Sequence, residues 1–268
     1  MRLQLSNKEY HARPEISKSD LDELAKSPLH FKNKEFKEQT PSMLLGSVVH
    51  KLVLEPNDFK NEFSVCPKVD KRTKQGKELL NEFIANLNGK IAVEPDIFDI
   101  AKDMTNEVLA MKQTAVFLRD GKAEQSYFSE LNGVKVKCRP DFYNESLGLI
   151  VDLKTTSDAS AKGFMSSVAN FNYHIQASFY MDIMRSLGYR ADKFLFIAVE
   201  TKSPYYVGFY ELDADALEYG RSRYTELLEL YKWCFENNNW YGYAKKEKDK
   251  LNFIQTLSLP AWKYYEAV

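Results

Sequence analysis

The chain has 268 residues, of which 44% are hydrophobic and 28% charged, with a formal net charge of −1. The apolar content is sufficient for a packed core and excludes disordered, collagen-like and coiled-coil proteins. Apolar runs are far shorter than the ~18 residues of a membrane span, and the N-terminus lacks the apolar stretch of a signal peptide. We expect a soluble cytoplasmic protein without a membrane partner, and the initial Met1 suggests that the chain stands alone. A near-zero net charge neither supports nor excludes DNA, which local basic patches would have to hold.

Three cysteines, Cys66, Cys138 and Cys234, lie far apart in the sequence. They form no C-x-x-C pair and are too few for an iron–sulfur cluster, which argues against a structural zinc, a cluster or a disulfide framework. We expect them to be small buried apolar residues.

The first 120 residues are predicted to be mainly helical. One helix begins near Ser19-Asp20 and ends before Pro28, and an apolar helix over 42–54 follows Pro41. A loop over 65–76 leads into two polar helices, over 73–88 and 95–112.

The pattern changes near residue 123, where three strands are predicted over 124–131, 134–143 and 148–154. Asn132-Gly133 between the first two is a strong hairpin signal, so we expect a three-stranded meander. Helices over 159–169 and 173–187, strands over 194–200 and 205–212, and a helix over 213–237 follow. The sequence predicts one α/β domain over 1–268 with a mixed central sheet flanked by helices. Its parts are a helical region (1–120), the sheet with its helices (121–215) and a C-terminal helix with a tail (216–268).

Two carboxylates and a lysine lie at the ends of the second and third predicted strands. Asp152 and Lys154 share one face of their strand, and Asp141 meets Asp152 if the two strands pair. Two adjacent carboxylates repel each other unless a cation such as Mg²⁺ lies between them, and the lysine can position an attacking water. An acid-x-Lys triplet occurs five times in the chain, so an ordinary surface salt bridge is the alternative interpretation.

Two helices add further candidate residues. Gln176 and Tyr180 are four residues apart and share a helix face. His50 lies one turn after Gly46, whose missing side chain allows another backbone to approach. A lone histidine on an apolar helix is either a core residue or a ligand, and spacing alone leaves both open.

Six segments together resemble the PD-(D/E)XK nuclease superfamily, and within it the nuclease domain of RecE-type exodeoxyribonuclease VIII. The resemblance extends over nearly the whole chain, from about Ile16. The matching segments are LGSVVHKLVLEP (45–56), KRTKQGK (71–77), AEQS (123–126), DLKTT (152–156), YHIQASFY (173–180) and TLSLP (256–260).

The resemblance implies His50, Asp141, Asp152 and the Leu153 carbonyl as ligands of Mg²⁺, for which Mn²⁺ would substitute. It implies Lys154 as the catalytic lysine, and Gln176 and Tyr180 as groups that orient the scissile strand or neighbouring side chains. It further implies ATP-independent, 5′-to-3′ degradation of linear duplex DNA by a ring-shaped homotetramer. The remaining 3′ single strand would pass to a RecT-type annealing protein in phage recombination.

Four residues near the core motif keep two interpretations each. Glu124 contacts the metal, or forms a salt bridge with Arg139 or Lys137. Arg139 holds a phosphate, or braces Asp152 or Glu124. Thr155 and Thr156 bind DNA phosphates, or cap the end of their strand.

The stretch 68–77 carries five positive charges and one negative. On its own such a run is usually a solvated surface, whereas the resemblance implies DNA contacts by Lys71, Arg72, Lys74 and Lys77, which would weaken with salt. Two alternative functions remain: a structure-selective or site-specific endonuclease on the same fold, and a non-catalytic DNA-binding recombination protein. The matches at 45–56 and 256–260 argue against the first, and the intact motif residues argue against the second.

Overall fold

The computed structural model describes residues 1–35, 39–247 and 250–264. The helices are α1 (Asn7–Ala12), α2 (Lys18–Lys26), α3 (Pro28–Lys32), α4 (Pro41–Leu54), α5 (Phe59–Glu62), α6 (Lys74–Ala85), α7 (Pro95–Ala110), α8 (Lys112–Phe117), α9 (Ala161–Asn170), α10 (Tyr173–Ser186), α11 (Ala214–Glu236) and α12 (Ala261–Tyr264). The strands are β1 (Arg2–Leu3), β2 (Phe63–Val65), β3 (Ile91–Val93), β4 (Gly121–Ala123), β5 (Ser126–Leu131), β6 (Val134–Cys138), β7 (Phe142–Asn144), β8 (Leu149–Thr156), β9 (Lys193–Glu200), β10 (Val207–Glu211), β11 (Lys245–Glu247) and β12 (Lys250–Asn252).

The largest sheet is mixed and has the strand order β10-β9-β8-β7-β4. β8 and β9 are parallel, in a register that places Asp152 opposite Phe196, and the other neighbours are antiparallel. β1, β5 and β6 form a separate antiparallel sheet, and β2 pairs with β3 in parallel. The predicted mixed sheet flanked by helices is therefore confirmed.

Alternation along the central strands divides the core into two layers. Phe194, Phe196 and Ala198 of β9 join the cluster that includes α10 and α11, whereas Leu195, Ile197 and Val199 join the cluster that includes α4 and α7. Successive strand residues point to opposite faces, so both faces of β9 are apolar and covered by helices. β8 follows the same rule until residue 152, where a carboxylate replaces the apolar residue on the α10 side.

Helix α4 begins with a sequence-encoded cap. The Thr40 hydroxyl accepts a hydrogen bond from the Met43 amide at 3.2 Å, and Pro41 occupies the first helical position, where no amide donor is needed. Val48 and Val49 are fully buried against the sheet. The next residue, His50, lies 3.4 Å from Asp141, which immediately precedes β7.

The predicted three-stranded meander is wrong in one respect. The segment predicted as one strand over 134–143 is two strands, β6 and β7, which belong to different sheets. Pro140 lies at the break, and proline interrupts a ladder because it has no amide to donate. β5 and β6 form the expected hairpin around Asn132-Gly133, but only β7 pairs with β8.

Several boundaries also differ from the prediction. The helix expected at Ser19 begins at Lys18, because Ser17 and Asp20 form a capping box. The strand expected from Glu124 begins at Ser126, since Glu124 has a positive φ of 52°. The short strands β1, β2 and β3 within residues 1–120 were not predicted; each has only two or three residues, too few for an alternating pattern.

The three cysteines are buried and free, as expected. Within the described residues, no helix has the length and apolar character needed to cross a membrane.

Candidate active site

Asp141 is held at the junction between the two sheets. Its carboxylate oxygen Oδ2 accepts a hydrogen bond from the Leu153 amide at 2.7 Å, and its backbone carbonyl accepts one from the Glu124 amide at 3.1 Å. The side chain therefore continues the β7–β8 ladder beyond Phe142, which pairs with Val151. Sequence analysis predicted that Asp141 and Asp152 would meet only if their two strands pair, and β7 does pair with β8.

Three potential metal ligands converge on this point. His50, Glu124 and Asp141 each offer one ligand atom, and the three atoms lie within 4.8 Å of one another. His50 Nδ1 is 3.4 Å from Asp141 Oδ2. Glu124 reaches the set from the left-handed backbone conformation between β4 and β5, which a residue with a bulky side chain seldom adopts.

Asp152 lies beside this set and is almost completely buried, with 1% of its surface exposed. Its Oδ1 accepts a hydrogen bond from the Gln176 side-chain amide at 2.5 Å, and its Oδ2 contacts the Lys154 ammonium. The ion pair with Lys154 is close, yet no described residue gives Oδ2 a hydrogen bond of good geometry. Because the Lys154 ammonium already lies against this buried oxygen, Oδ2 does not by itself mark a metal position.

Burial and neighbouring charges shift the pKa values of the ionisable groups at this site. Burial, and then the neighbouring Asp141, raise the pKa of Glu124 to about 8. Burial also raises the pKa of Asp152, and the Lys154 ammonium only partly opposes this. Burial lowers the pKa of Lys154, but Asp152 and Asp141 together outweigh it and leave that pKa raised, so the lysine stays protonated.

These residues fit a divalent metal ion. Hard cations prefer carboxylate oxygens, and an imidazole nitrogen completes a set that Mg²⁺, Mn²⁺ and related ions share. A cation at the set would offset the repulsion and the burial that hold the carboxyl pKa values up. Asp152 lies outside the three-residue set, which consists of side chains only. The ligand roles of His50, Asp141, Asp152 and the Leu153 carbonyl all remain predictions.

Sequence analysis did not identify Tyr173, which contacts Lys154, or Lys18, which contacts Tyr173. The Lys154 ammonium lies 4.7 Å from the centre of the Tyr173 ring, and the Lys18 ammonium lies 6.0 Å from the same ring. Such cation–π contacts orient an ammonium group without neutralising it. Tyr173 is three residues before Gln176 on α10, and this spacing is the signal that could have identified it.

Tyr180 and the two threonines occupy positions around these groups. The Tyr180 ring packs against Phe194, and burial holds its pKa well above the usual range, so the hydroxyl stays neutral. The Thr156 hydroxyl accepts a hydrogen bond from the Asp158 amide at 3.3 Å, which is the strand-end cap that sequence offered as one alternative. A Cβ atom at Gly46 would lie 3.3 Å from Thr155 Oγ1, so the close neighbour of this glycine is a threonine side chain and not the backbone that the sequence predicted.

Arg139 braces the N-terminal segment. Its guanidinium donates to Ser126 Oγ at 2.8 Å and to the Leu5 carbonyl at 3.1 Å, and it lies 4.2 Å from the centre of the Tyr10 ring. Its hydrogen bonds go to these groups. Burial lowers the pKa of the Arg139 guanidinium and the charge of Glu124 opposes this, so the predicted interaction with Glu124 is electrostatic. Lys137 donates to the carbonyls of Tyr10 and Arg13, and the Glu124 carboxylate lies within 4.8 Å of ligand atoms of His50 and Asp141, so metal contact by Glu124 stays a prediction.

The basic stretch is exposed, and most of its charges have acidic neighbours. The ion pairs are Lys68–Asp99 at 2.8 Å, Lys71–Glu94 at 2.9 Å, Arg72–Asp70 at 3.0 Å and Lys74–Glu78 at 3.9 Å. Lys77 is exposed on α6. Exposed pairs of this kind contribute little stability and can exchange partners, so DNA contacts by Lys71, Arg72, Lys74 and Lys77 stay a prediction.

The fold and the site define a class of protein. A mixed sheet flanked by helices carries Asp141, Asp152 and Lys154 on adjacent strands, with His50 and Glu124 beside them, as in metal-dependent nucleases of the PD-(D/E)XK type. Residues 17–249 match the family described as "PDDEXK-like domain of unknown function (DUF3799)", and the chain belongs to that family. It is accordingly a divalent-metal-dependent phosphodiester hydrolase.

A solved structure with a TM-score of 0.62 supports the fold. The chain is similar to the crystal structure of a protein from Eubacterium rectale described as a "Putative exonuclease", with a TM-score of 0.62 and 15% identity over 99% of this chain and 100% of that one. A structure described as SSO0001 aligns with a TM-score of 0.30 and 15% identity, over 85% of this chain and 88% of that one. No curated protein matches the chain.

Proposed function

We propose that this protein is an Mg²⁺-dependent, ATP-independent exodeoxyribonuclease of the RecE type that degrades linear duplex DNA from 5′ to 3′. The observation that carries the proposal is the position of Asp152, buried between Lys154 and Gln176 and adjacent to His50, Glu124 and Asp141. The Eubacterium rectale protein of similar fold is described as a "Putative exonuclease", which makes exonuclease activity the first to test, although an endonuclease would share this fold. Polarity and the choice of Mg²⁺ over other divalent ions rest on the resemblance of the motif segments.

The residues of the chain have distinct tasks in this proposal. His50, Glu124, Asp141 and Asp152 would supply the ligands, and a divalent ion held by them would lower the pKa of a water and stabilise charge on the phosphoryl oxygen. Gln176 holds the Asp152 carboxylate in one orientation through its amide. The Lys154 ammonium, oriented by Asp152 and Tyr173, positions the attacking water and offsets the negative charge that develops on the phosphate.

The proposal is tested with linear duplex DNA labelled at its 5′ or 3′ end and with a covalently closed circle, in Mg²⁺ or Mn²⁺ and without ATP. We expect early release of 5′-terminal mononucleotides and an intact circle. Lys154→Ala should abolish release, and Lys193→Ala, which removes an exposed lysine of β9, should not. A cut circle would indicate the endonuclease, and DNA binding without any cleavage would indicate the non-catalytic recombination protein.

We extend the proposal to a homotetrameric ring that passes its 3′ single strand to a RecT-type annealing protein. The segment after β12 supports self-assembly, because it exposes apolar side chains that include Ile254 and Leu257, which are 85% and 89% exposed. Light scattering on the full chain should give four copies, and the double variant Ile254→Ser/Leu257→Ser should give fewer. A monomeric wild-type protein would contradict the ring.

A further inference from the structure

The turn between α9 and α10 exposes an aromatic ring next to the catalytic groups. Phe171 is 58% exposed, whereas Phe164 and Phe196 nearby are almost fully buried. The Phe171 ring lies 5.6 Å from the Tyr173 ring, at 30° between their planes. Tyr173 in turn contacts the Lys154 ammonium. A single aromatic ring therefore separates Phe171 from the lysine.

The backbone that carries Phe171 is held at both of its polar groups. The Phe171 amide donates to the Ser167 carbonyl at 3.0 Å, and its carbonyl accepts from the Lys18 ammonium at 2.7 Å. Asn172 follows in the left-handed region, with a φ of 55°, and its side-chain amide donates to Asp22 Oδ1 at 3.3 Å. A ring on such a backbone can bind a planar group without a large loss of conformational entropy.

Two ammonium groups lie near this turn. Those of Lys18 and Lys154 are both within 6.0 Å of the Tyr173 ring centre, and they pair with Asp22 and Asp152, so a phosphate that approaches the turn competes with these two carboxylates for them. Every nucleobase has a π face, and stacking on aromatic side chains is a sequence-independent means of binding single-stranded nucleic acid. The same helix, α10, begins after this turn and carries Gln176, which fixes Asp152.

We propose that Phe171 stacks on the nucleobase of the terminal nucleotide and so positions the scissile phosphodiester at Lys154. The inference rests on the nuclease proposal and adds a residue that selects frayed or single-stranded ends. An exposed aromatic residue is often only part of the surface. The distinguishing property of Phe171 is that its effect should depend on the presence of a base.

The test compares wild type with Phe171→Ala, Phe171→Trp and the control Phe235→Ala, which removes a ring of α11 that is 68% exposed. Each protein is prepared in two versions. The version with Lys154→Ala is used to measure DNA binding, and the version with the native lysine is used to measure cleavage. The duplex ends in 2-aminopurine, whose fluorescence falls on stacking, or in an abasic nucleotide. We expect Phe171→Ala to raise Kd and KM by about 5- to 150-fold, from the usual strength of base stacking. Phe171→Trp should restore both, and Phe235→Ala should behave as wild type.

On the abasic end, Phe171→Ala and wild type should bind alike, because no base is present to stack. Equal Kd values and equal fluorescence for Phe171→Ala and Phe235→Ala on the 2-aminopurine end would overturn the inference. The fluorescence measurement does not need cleavage. A protein that quenches 2-aminopurine through Phe171 but cuts no DNA would therefore refute the nuclease proposal and not the stacking role.

Discussion

The Gln176 side-chain amide donates a hydrogen bond of 2.5 Å to Asp152 Oδ1, joining α10 to the central strand β8. Both residues are buried, and Asp152 Oδ1 accepts its hydrogen bond from the Gln176 amide. The contact selects one rotamer of Asp152 and leaves Oδ2 for Lys154. If Asp152 holds a metal ion as proposed, Gln176 is the group that orients this ligand, and loss of such a group commonly lowers metal affinity or activity by about 10- to 100-fold.

Replacing Gln176 by Ala should lower kcat by about 10- to 100-fold at saturating metal, because Asp152 loses the partner that orients it. It should also lower the free energy of unfolding by about 1–3 kcal/mol, because a buried acceptor loses its donor. Steady-state cleavage and urea unfolding measure the two effects. Gln113→Ala, at an exposed position of α8, is the control and should change neither. Wild-type kcat in Gln176→Ala would show that the contact is only structural.

Substitution of Arg139 distinguishes a structural role of this residue from a role in DNA binding. Because its guanidinium binds Ser126 and the carbonyls of Leu5 and Ser6, Arg139→Ala should cost about 1.5–3 kcal/mol of unfolding free energy. Its Kd for DNA should stay within about twofold of wild type at a temperature where the variant is folded. Arg119→Ala, which removes an exposed arginine, is the stability control. A large loss of DNA affinity with unchanged stability would restore the phosphate-binding interpretation.

Gly46 limits the size of the side chain between α4 and β8. In Gly46→Ala the gain in helix propensity, about 1 kcal/mol, should offset the tight contact with Thr155 Oγ1, so that stability stays near wild type. In Gly46→Val the extra methyl groups should destabilise the protein by about 1–3 kcal/mol through overpacking. Thermal or urea unfolding measures both, and Ser42→Val on the exposed start of α4 is the control. A fully stable Gly46→Val variant would show that the helix moves freely away from the sheet.

The raised pKa of Glu124 predicts how the stability of the metal-free protein depends on pH. Its pKa is 4.5 in the unfolded chain and about 8 in the folded one, so the folded state binds an extra proton between these values. Stability without metal should therefore fall as pH rises from about 5 to about 8, and metal binding in that range should release a proton. Thermal melts in EDTA across this range should show a steeper decline for wild type than for Glu124→Gln.

The same melts with added Mg²⁺ or Mn²⁺ test the ligand set. Metal should raise the Tm more at pH 8.5 than at pH 5.5, since protons no longer compete for Glu124. Glu145→Gln, which alters an exposed carboxylate paired with Arg2, should retain the wild-type response. A metal-induced Tm shift of equal size in Glu124→Gln would exclude Glu124 from the site.

Local sequence patterns determined the elements that carry the site. The helices α4, α10 and α11 lie within one or two residues of their predicted bounds, because caps and apolar periodicity are local properties. The pairing of Asp141 with the strand of Asp152 and Lys154 was also predictable, since a short turn between neighbouring strands leaves few registers. Motif resemblance then indicated which of these residues act together.

Only the tertiary structure decided how distant segments meet. It divided the predicted second strand between two sheets at Pro140, placed Glu124 with His50, and directed Arg139 to the N-terminal segment. It also brought Tyr173 to Lys154 and Gln176 to Asp152, across the packing of α10 on the central sheet. Local propensity cannot encode such contacts, because they join residues that are far apart in sequence. They form only when the helices pack on both faces of β8 and β9 and bring these residues to the same end of the sheet.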